Sequence, residues 1–353
     1  MMKRDVSIKK VSDFLRRIGR RKLWIQTHDI PDPDAIASAE ALRVIARDFG
    51  LNASIVINGF PNRRENTALI KECKIHLKPL ESLRIRSAEQ SAWAYVDCLP
   101  YKGNVTMHPL APGDLYLAID HHGKPETDEK NGVRPFIIHE PGVGATATLL
   151  TRMLLRMHVP FPPRLASALS YAIITDTLDF SREVSEADLE MYSALFPYTN
   201  QKIISRLRNA PKTREYFQIM HRALENASFY RNIAWADIGV VQSGESVAEM
   251  ADLILSTERI TWSLALGHNE GKMFLSLRSS QPKSRCSRVI HRIVRDLSGT
   301  VGGHNEFAGG FVFLEKGDDP TEVADTVTGH FLRTVLHLSK KADIPEGTPL
   351  VER

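Results

Sequence analysis

The chain has 353 residues, of which 42% are hydrophobic and 25% charged, with 46 Lys and Arg against 42 Asp and Glu. That length calls for two hydrophobic cores, and a surplus of four positive charges admits an anionic substrate without demanding nucleic acid. No apolar run approaches the ~20 residues that span a bilayer, and the basic N-terminus lacks an apolar signal core, so the expectation is a cytoplasmic protein with no membrane partner.

In chain order, residues 6–19 carry Ile8, Val11, Phe14, Leu15 and Ile18 at helical spacing, with the basic residues as the solvated side. Strands are predicted over 23–26, 53–57, 92–96 and 115–119, and helices over 35–49, 144–157 and 164–174. Strands alternating with helices imply a parallel sheet with both faces covered and ligands at the carboxyl ends of its strands. A polar helical stretch over 186–227 reads as a linker. Beyond it, strands are predicted over 233–242, 260–267 and 272–278. A helix over 287–297, a glycine-rich loop, a strand over 310–313 and a closing helix over 321–338 follow. The predicted organisation is a catalytic domain over 1–185, a linker over 186–227, a smaller mixed α/β domain over 228–340 and a loose tail over 341–353. Cys73, Cys98 and Cys286 are too widely spaced for a zinc or redox motif and are read as reduced and structural.

Chemistry concentrates where apolar runs end. His28, Asp29, Asp32 and Asp34 fall within seven residues after the first strand, with Pro31 and Pro33 stiffening the turn. Carboxylates crowded at one turn repel unless a cation is present, although Asp34 alone could cap the following helix. Asp97 ends the run at 92–96, Asp120, His121 and His122 end the run at 115–119, and Asp176 ends an apolar run. In a parallel sheet such ends converge, and an oxygen and imidazole set without thiolate suits manganese, magnesium or iron.

This ordered set resembles the DHH family of phosphoesterases. His28-Asp29-Ile30-Pro31-Asp32-Pro33-Asp34 matches its first motif, Asp97 stands where the second has its aspartate, Asp120-His121-His122 is the name-giving triplet, and Thr175 to Phe180 matches the fourth. Ser276 to Ser280 and Gly302 to Gly310 resemble the first of two C-terminal domain types attached to DHH domains. The resemblance implies two domains with the active site in the cleft between them, and two manganese ions, magnesium or another divalent cation being the alternative. His28 and Asp32 would serve one ion, Asp34, His121 and Asp176 the other, and Asp97 would bridge. Asp120 would orient an imidazole and His122 would face the scissile phosphate, with a structural hydrogen bond as its other reading. Arg278, Ser279, Gly302, Gly303, His304 and Arg182 are the expected substrate contacts; a turn role for the glycines and a surface carboxylate partner for Arg278 stay open.

The chain departs from the family pattern in having Ile30 where Asn is common, Pro33 and Ala37 where Gly is common, and Thr300-Val301-Gly302-Gly303-His304-Asn305 in place of Gly-Gly-Gly-His followed by Pro. All six expected ligands are present. The expected function is hydrolysis of short oligonucleotides or small nucleotides, as in nano-RNases, 3′-phosphoadenosine 5′-phosphate phosphatases and dinucleotide phosphodiesterases. A RecJ-like exonuclease and a non-catalytic nucleotide-binding protein are the alternatives, and a homodimer is left open.

Overall fold

The computed structural model describes residues 6–351 except 62, 86, 88–89, 102–103, 114, 123–134, 282–283, 304 and 340–341. Two compact units divide after Pro211. Among the described residues no helix is long and apolar enough to cross a membrane.

The first unit is built on a six-stranded, all-parallel sheet in the order β3-β2-β1-β4-β5-β6. Its strands are β1 (Lys22–Gln26), β2 (Ala53–Ile57), β3 (Leu77–Pro79), β4 (Ser91–Val96), β5 (Tyr116–Asp120) and β6 (Phe136–His139). From β1 the chain winds one way through β2 and β3, and from β4 the other way through β5 and β6. The winding therefore reverses between β1 and β4, and the connections leaving those two strands diverge to open a crevice at their carboxyl ends.

Side-chain alternation explains why both faces are dry. On β4, Ala92, Ala94 and Val96 meet the helices, and on β5 so do Leu117 and Ile119. Trp93, Tyr95, Tyr116 and Ala118 point to the opposite face, where Leu80, Leu83, Leu99 and Val105 from connecting segments cover them. The helical face carries α1 (Val6–Arg17), α2 (Pro33–Asp48), α3 (Arg64–Cys73), α4 (Thr146–Arg156) and α5 (Pro163–Asp176). Helix α2 is buried almost all round. Ala35, Ala37, Ala39 and Ala41 let it lie close to its neighbours, Pro33 sits in the first turn where its missing N–H costs nothing, and Asp32 is its N-cap.

The second unit holds a seven-stranded mixed sheet in the order β11-β12-β10-β9-β8-β7-β13. Its strands are β7 (Ser228–Tyr230), β8 (Ile233–Val240), β9 (Trp262–Asn269), β10 (Lys272–Ser279), β11 (Gly299–Gly303), β12 (Phe307–Phe313) and β13 (Thr348–Pro349). Only β8 and β9 pair in parallel, with a register shift between Asp237 and Val240. Helices α8 (Arg214–Asn226) and α9 (Gly244–Leu255) pack on one face. Helices α10 (Cys286–Ile293) and α11 (Pro320–Val335) pack on the other.

Three regions differ from the sequence expectation. The stretch 186–227 divides between the units. Met191 and Leu195 of α6 (Glu186–Leu195) and Ile204 and Leu207 of α7 (Gln201–Arg208) join the first core, while Ile219 and Ala223 of α8 join a second-unit core. These apolar positions recur at helical spacing, and it is packing that decides their side of the boundary. The tail expected to be loose adds β13 antiparallel to β7, and Leu350 donates its N–H to the Ala227 carbonyl at 2.8 Å and packs on the adjoining core. The expected glycine-rich loop is instead β11, paired with β12 so closely that a Cβ on Gly303 would lie 2.4 Å from the Ala308 Cα. All three cysteines are unpaired and buried, and burial pushes the thiols of Cys73 and Cys286 up to about 12 and about 11.

Candidate metal centre

His28, Asp32, Asp34, Asp97, His121 and Asp176 converge at the carboxyl ends of β1, β4 and β5. His28 follows β1, Asp97 follows β4, and His121 follows β5 directly, while Asp32 and Asp34 open α2 and Asp176 closes α5. The carboxylate of Asp97 divides its oxygens: Oδ2 lies 3.7 Å from His28 Nε2 and Oδ1 lies 3.7 Å from His121 Nε2. On the first side Asp32 Oδ1 is 3.9 Å from His28 Nε2. On the second, His121 Nε2 stands 3.2 Å from Asp176 Oδ2 and 3.9 Å from Asp34 Oδ2. Two trios with ligand atoms close enough to share one ion result, His28-Asp32-Asp97 and Asp34-His121-Asp176, and a third joins Asp97, His121 and His122.

Both inward imidazoles are oriented the same way. His28 Nδ1–H donates to the Asp29 carbonyl at 3.0 Å and His121 Nδ1–H to the Val143 carbonyl at 3.1 Å. A carbonyl only accepts, so Nδ1 carries a proton in either charge state, and with a cation in the cluster Nε2 would offer it a lone pair. His121 Nε2 and Asp176 Oδ2 are buried without a hydrogen-bond partner. Buried polar atoms left unmatched are costly, and opposed donors of this oxygen and imidazole chemistry fit a divalent cation.

Electrostatics agree. Burial pushes the Asp34 carboxyl well above the ordinary range, and the charges of Asp97 and Asp176 push it further. Burial likewise raises Asp97. Burial alone would lower His121, but Asp176, Asp97 and Asp34 outweigh it and push the imidazole up to about 11. For His28 the same contest, won by Asp32 and Asp97, ends at about 10. Protons are thus retained to offset carboxylate charge, a task a cation performs in their place.

A supporting layer holds the carboxylates. Asp34 accepts the backbone N–H groups of Thr146 and Ala147 at 2.7 and 2.8 Å, and the Thr146 hydroxyl donates to Asp97 Oδ1 at 2.8 Å. Asp34 therefore satisfies the first turn of α4, whereas the N-cap of its own helix is Asp32, which accepts the Ala35 N–H at 3.0 Å. Behind Thr146, the fully buried Asp188 accepts the Gly144 N–H at 2.8 Å and bonds Thr148 and Ser185. A Cβ on Gly144 would come within 2.6 Å of Thr177 and 3.0 Å of Asp188, so only glycine fits that approach. Asp29 points away: its carboxylate accepts the Thr106 N–H and hydroxyl at 2.9 and 2.6 Å and pins the segment after β4. Sequence reasoning missed Thr146 and Asp188; the only sequence signal was the Ser185 and Asp188 spacing of a helix capping box.

Asp120 accepts both the backbone N–H and the Nδ1–H of His122 at 3.0 Å, and His122, 42% exposed, is the most open imidazole of the group. Its charged form is favoured against burial by Asp120 and Asp97. Ile30 adopts φ 53°, a left-handed conformation that Asn tolerates and a β-branched residue resists.

Of the remaining predicted residues, Arg182 lies in the first unit and Arg278, Ser279 and Gly302 lie in the second. Arg182 donates to the Asp176 carbonyl at 3.1 Å, beside the cluster. Arg278 is bonded to Asp252 at 2.5 Å and to Ser276 at 2.7 Å, the carboxylate pairing held open from the sequence. The buried Ser279 hydroxyl donates to the Thr261 carbonyl at 2.9 Å and accepts the Gln281 N–H at 3.1 Å. Gly302 faces open space, and His304 lies outside the described residues.

The sequence model described as the DHH family, N-terminal domain, matches residues 22–173. An uncharacterized protein of Methanocaldococcus jannaschii is 29% identical over 271 residues, 76% of this chain and 54% of that protein. A probable manganese-dependent inorganic pyrophosphatase of Enterococcus faecalis is 23% identical over 175 residues, 49% of this chain and 54% of the relative. These matches thus cover about half the length of each relative. The crystal structure of an exopolyphosphatase-related protein from Bacteroides fragilis superposes with TM-score 0.74 at 20% identity, covering 94% of this chain and 97% of that one, a likeness of fold.

Proposed function

We propose that the chain, whose residues 22–173 match the DHH family, N-terminal domain, is a metal-dependent phosphoesterase acting on short oligonucleotides or small nucleotides. The observation that carries the reading is Asp97, whose two carboxylate oxygens face two separate donor sets. In it, His28 and Asp32 hold one divalent ion, Asp34, His121 and Asp176 hold the other, and Asp97 bridges. Manganese is the proposed metal, in keeping with the name of the Enterococcus faecalis relative. Bound ions would supply Lewis-acid polarisation of a phosphoryl oxygen and an activated water.

The chain's own residues have distinct tasks. Nδ1–H bonds to Asp29 and Val143 fix the Nε2 lone pairs of His28 and His121 on the cluster. Thr146 and Ala147 keep the Asp34 carboxylate aimed, and Asp120 holds the His122 ring through its Nδ1–H, orienting an imidazolium toward a phosphate oxygen or a leaving group. The second unit is proposed to be a DHH-associated domain of the first type. Gly302, His304, Arg278 and Arg182 are its and its neighbour's proposed substrate contacts, with Ser279 bracing the end of β10.

The test is manganese-dependent release of mononucleotide from a labelled diribonucleotide, run beside 3′-phosphoadenosine 5′-phosphate, a cyclic dinucleotide and inorganic pyrophosphate. Turnover of at least one nucleotide in preference to pyrophosphate is expected. Intact manganese binding with no hydrolysis of any of them would refute the enzymatic reading. Turnover confined to pyrophosphate would refute the substrate class.

A further inference from the structure

Helix α10 buries Cys286, Ile290 and Ile293 against the second-unit core. At 3.6 residues per turn its opposite side carries Arg288, His291 and Arg292, with Arg285 at the N-cap and Arg295 in the turn beyond its C-terminus. All five are exposed. Asp296 is the one carboxylate in residues 284–298, and it pairs with Arg295. Arg285, Arg288 and Arg292 have no carboxylate partner among the described residues.

This stripe opposes the helix that bears it. Cations three and four residues apart repel, and the first turn of α10 holds Arg288 next to Arg285 with no acidic residue, although that end of a helix is its positive pole. Arg285 also adopts φ 57° at the N-cap. A surface serving solubility alone would mix signs, as the chain does overall with 46 basic and 42 acidic residues. The cationic groups are arginines, whose planar forks match phosphate oxygens bidentately.

We infer that the Arg285–Arg288–Arg292–Arg295 face of α10 is a docking surface for the phosphate backbone of single-stranded nucleic acid. Helix α10 itself spans about 12 Å at 1.5 Å per residue, with Arg285 and Arg295 flanking its two ends, enough to engage several phosphates of one strand. A membrane surface fits less well, because the apolar side of α10 is buried in the core and none is left to enter a bilayer. The inference stands apart from hydrolysis, since a chain that turns over nothing can still bind a strand.

The test uses the full chain in EDTA, so that hydrolysis does not intervene. Binding of a fluorescein-labelled 12-nucleotide oligouridylate is followed by anisotropy across a salt series, for wild type and for the triple variant R285Q/R288Q/R292Q. Wild type should bind with a steep salt dependence. The variant should bind at least tenfold more weakly, with a slope of log K against log salt shallower by about 2, from about 0.7 per phosphate contact removed. Its melting temperature should hold or rise as repulsion is relieved, and its turnover of any substrate found for wild type should be unchanged. Equal affinity and slope in the two proteins would overturn the inference. So would a wild type that ignores the 12-mer, whether or not it binds phosphatidylserine vesicles.

Discussion

The two units use polar side chains in opposite ways. In the first, Asp34, Asp97, His28 and His121 turn their free atoms toward one another, held there by hydrogen bonds that Thr146 and Ala147 donate to the carboxylates and that the imidazoles donate to backbone carbonyls. In the second, Arg278 is bonded to Asp252 and Ser276, Ser279 to Thr261 and Gln281, and Gly303 makes room for Ala308. One unit leaves buried atoms unmatched at a sheet edge, and in the other Arg278 and Ser279 are bonded within their own fold. The difference teaches that a motif's residue types do not reveal whether its polar atoms are available; partners do.

That contrast can be broken by substitution. The largest effect is expected from Asp97→Ala, which removes the group shared by both donor sets: turnover in a nucleotide hydrolysis assay should fall by about 10³-fold or more. Retained activity would place Asp97 outside the chemistry. Next is Asp188→Ala, which strands the Gly144 N–H and the hydroxyls of Thr148 and Ser185. Chemical denaturation should register a loss of about 3 kcal/mol, and manganese affinity measured on the folded fraction should drop. A variant with unchanged stability would remove Asp188 from the supporting layer. Thr146→Val keeps the shape but deletes the hydroxyl on Asp97; calorimetric titration should show manganese binding weakened by about 10-fold, with Thr146→Ser recovering most of it. On the other side of the comparison, Ser279→Ala should cost about 1–2 kcal/mol of stability while leaving manganese affinity as in wild type, a result that would sharpen the division between the units.

Much of the first unit was legible because its signals are local. The strand over Ala53–Ile57 and the strand ends at Gln26 and Val96 follow from apolar runs stopped by turn chemistry, and parallel order then brings Asp97 and His121 to one edge. Asp176 was found as the end of an apolar run, and the structure makes that run the helix α5. Long-range partners were not legible. Asp34 caps α4 from 112 residues away, and nothing in the local sequence distinguishes it from a cap of its own helix. Asp29, one of three carboxylates in the first motif, is taken by Thr106, 77 residues on. The division of residues 186–227 between the cores and the docking of Leu350 likewise rest on tertiary packing that periodicity cannot assign.

The central claim is that two ions share the Asp97 carboxylate. Manganese titration followed by electron paramagnetic resonance tests it most directly. The account predicts two ions per chain and a spin-coupled spectrum that Asp97→Ala abolishes. A single bound ion with an uncoupled six-line spectrum in the wild type would contradict it.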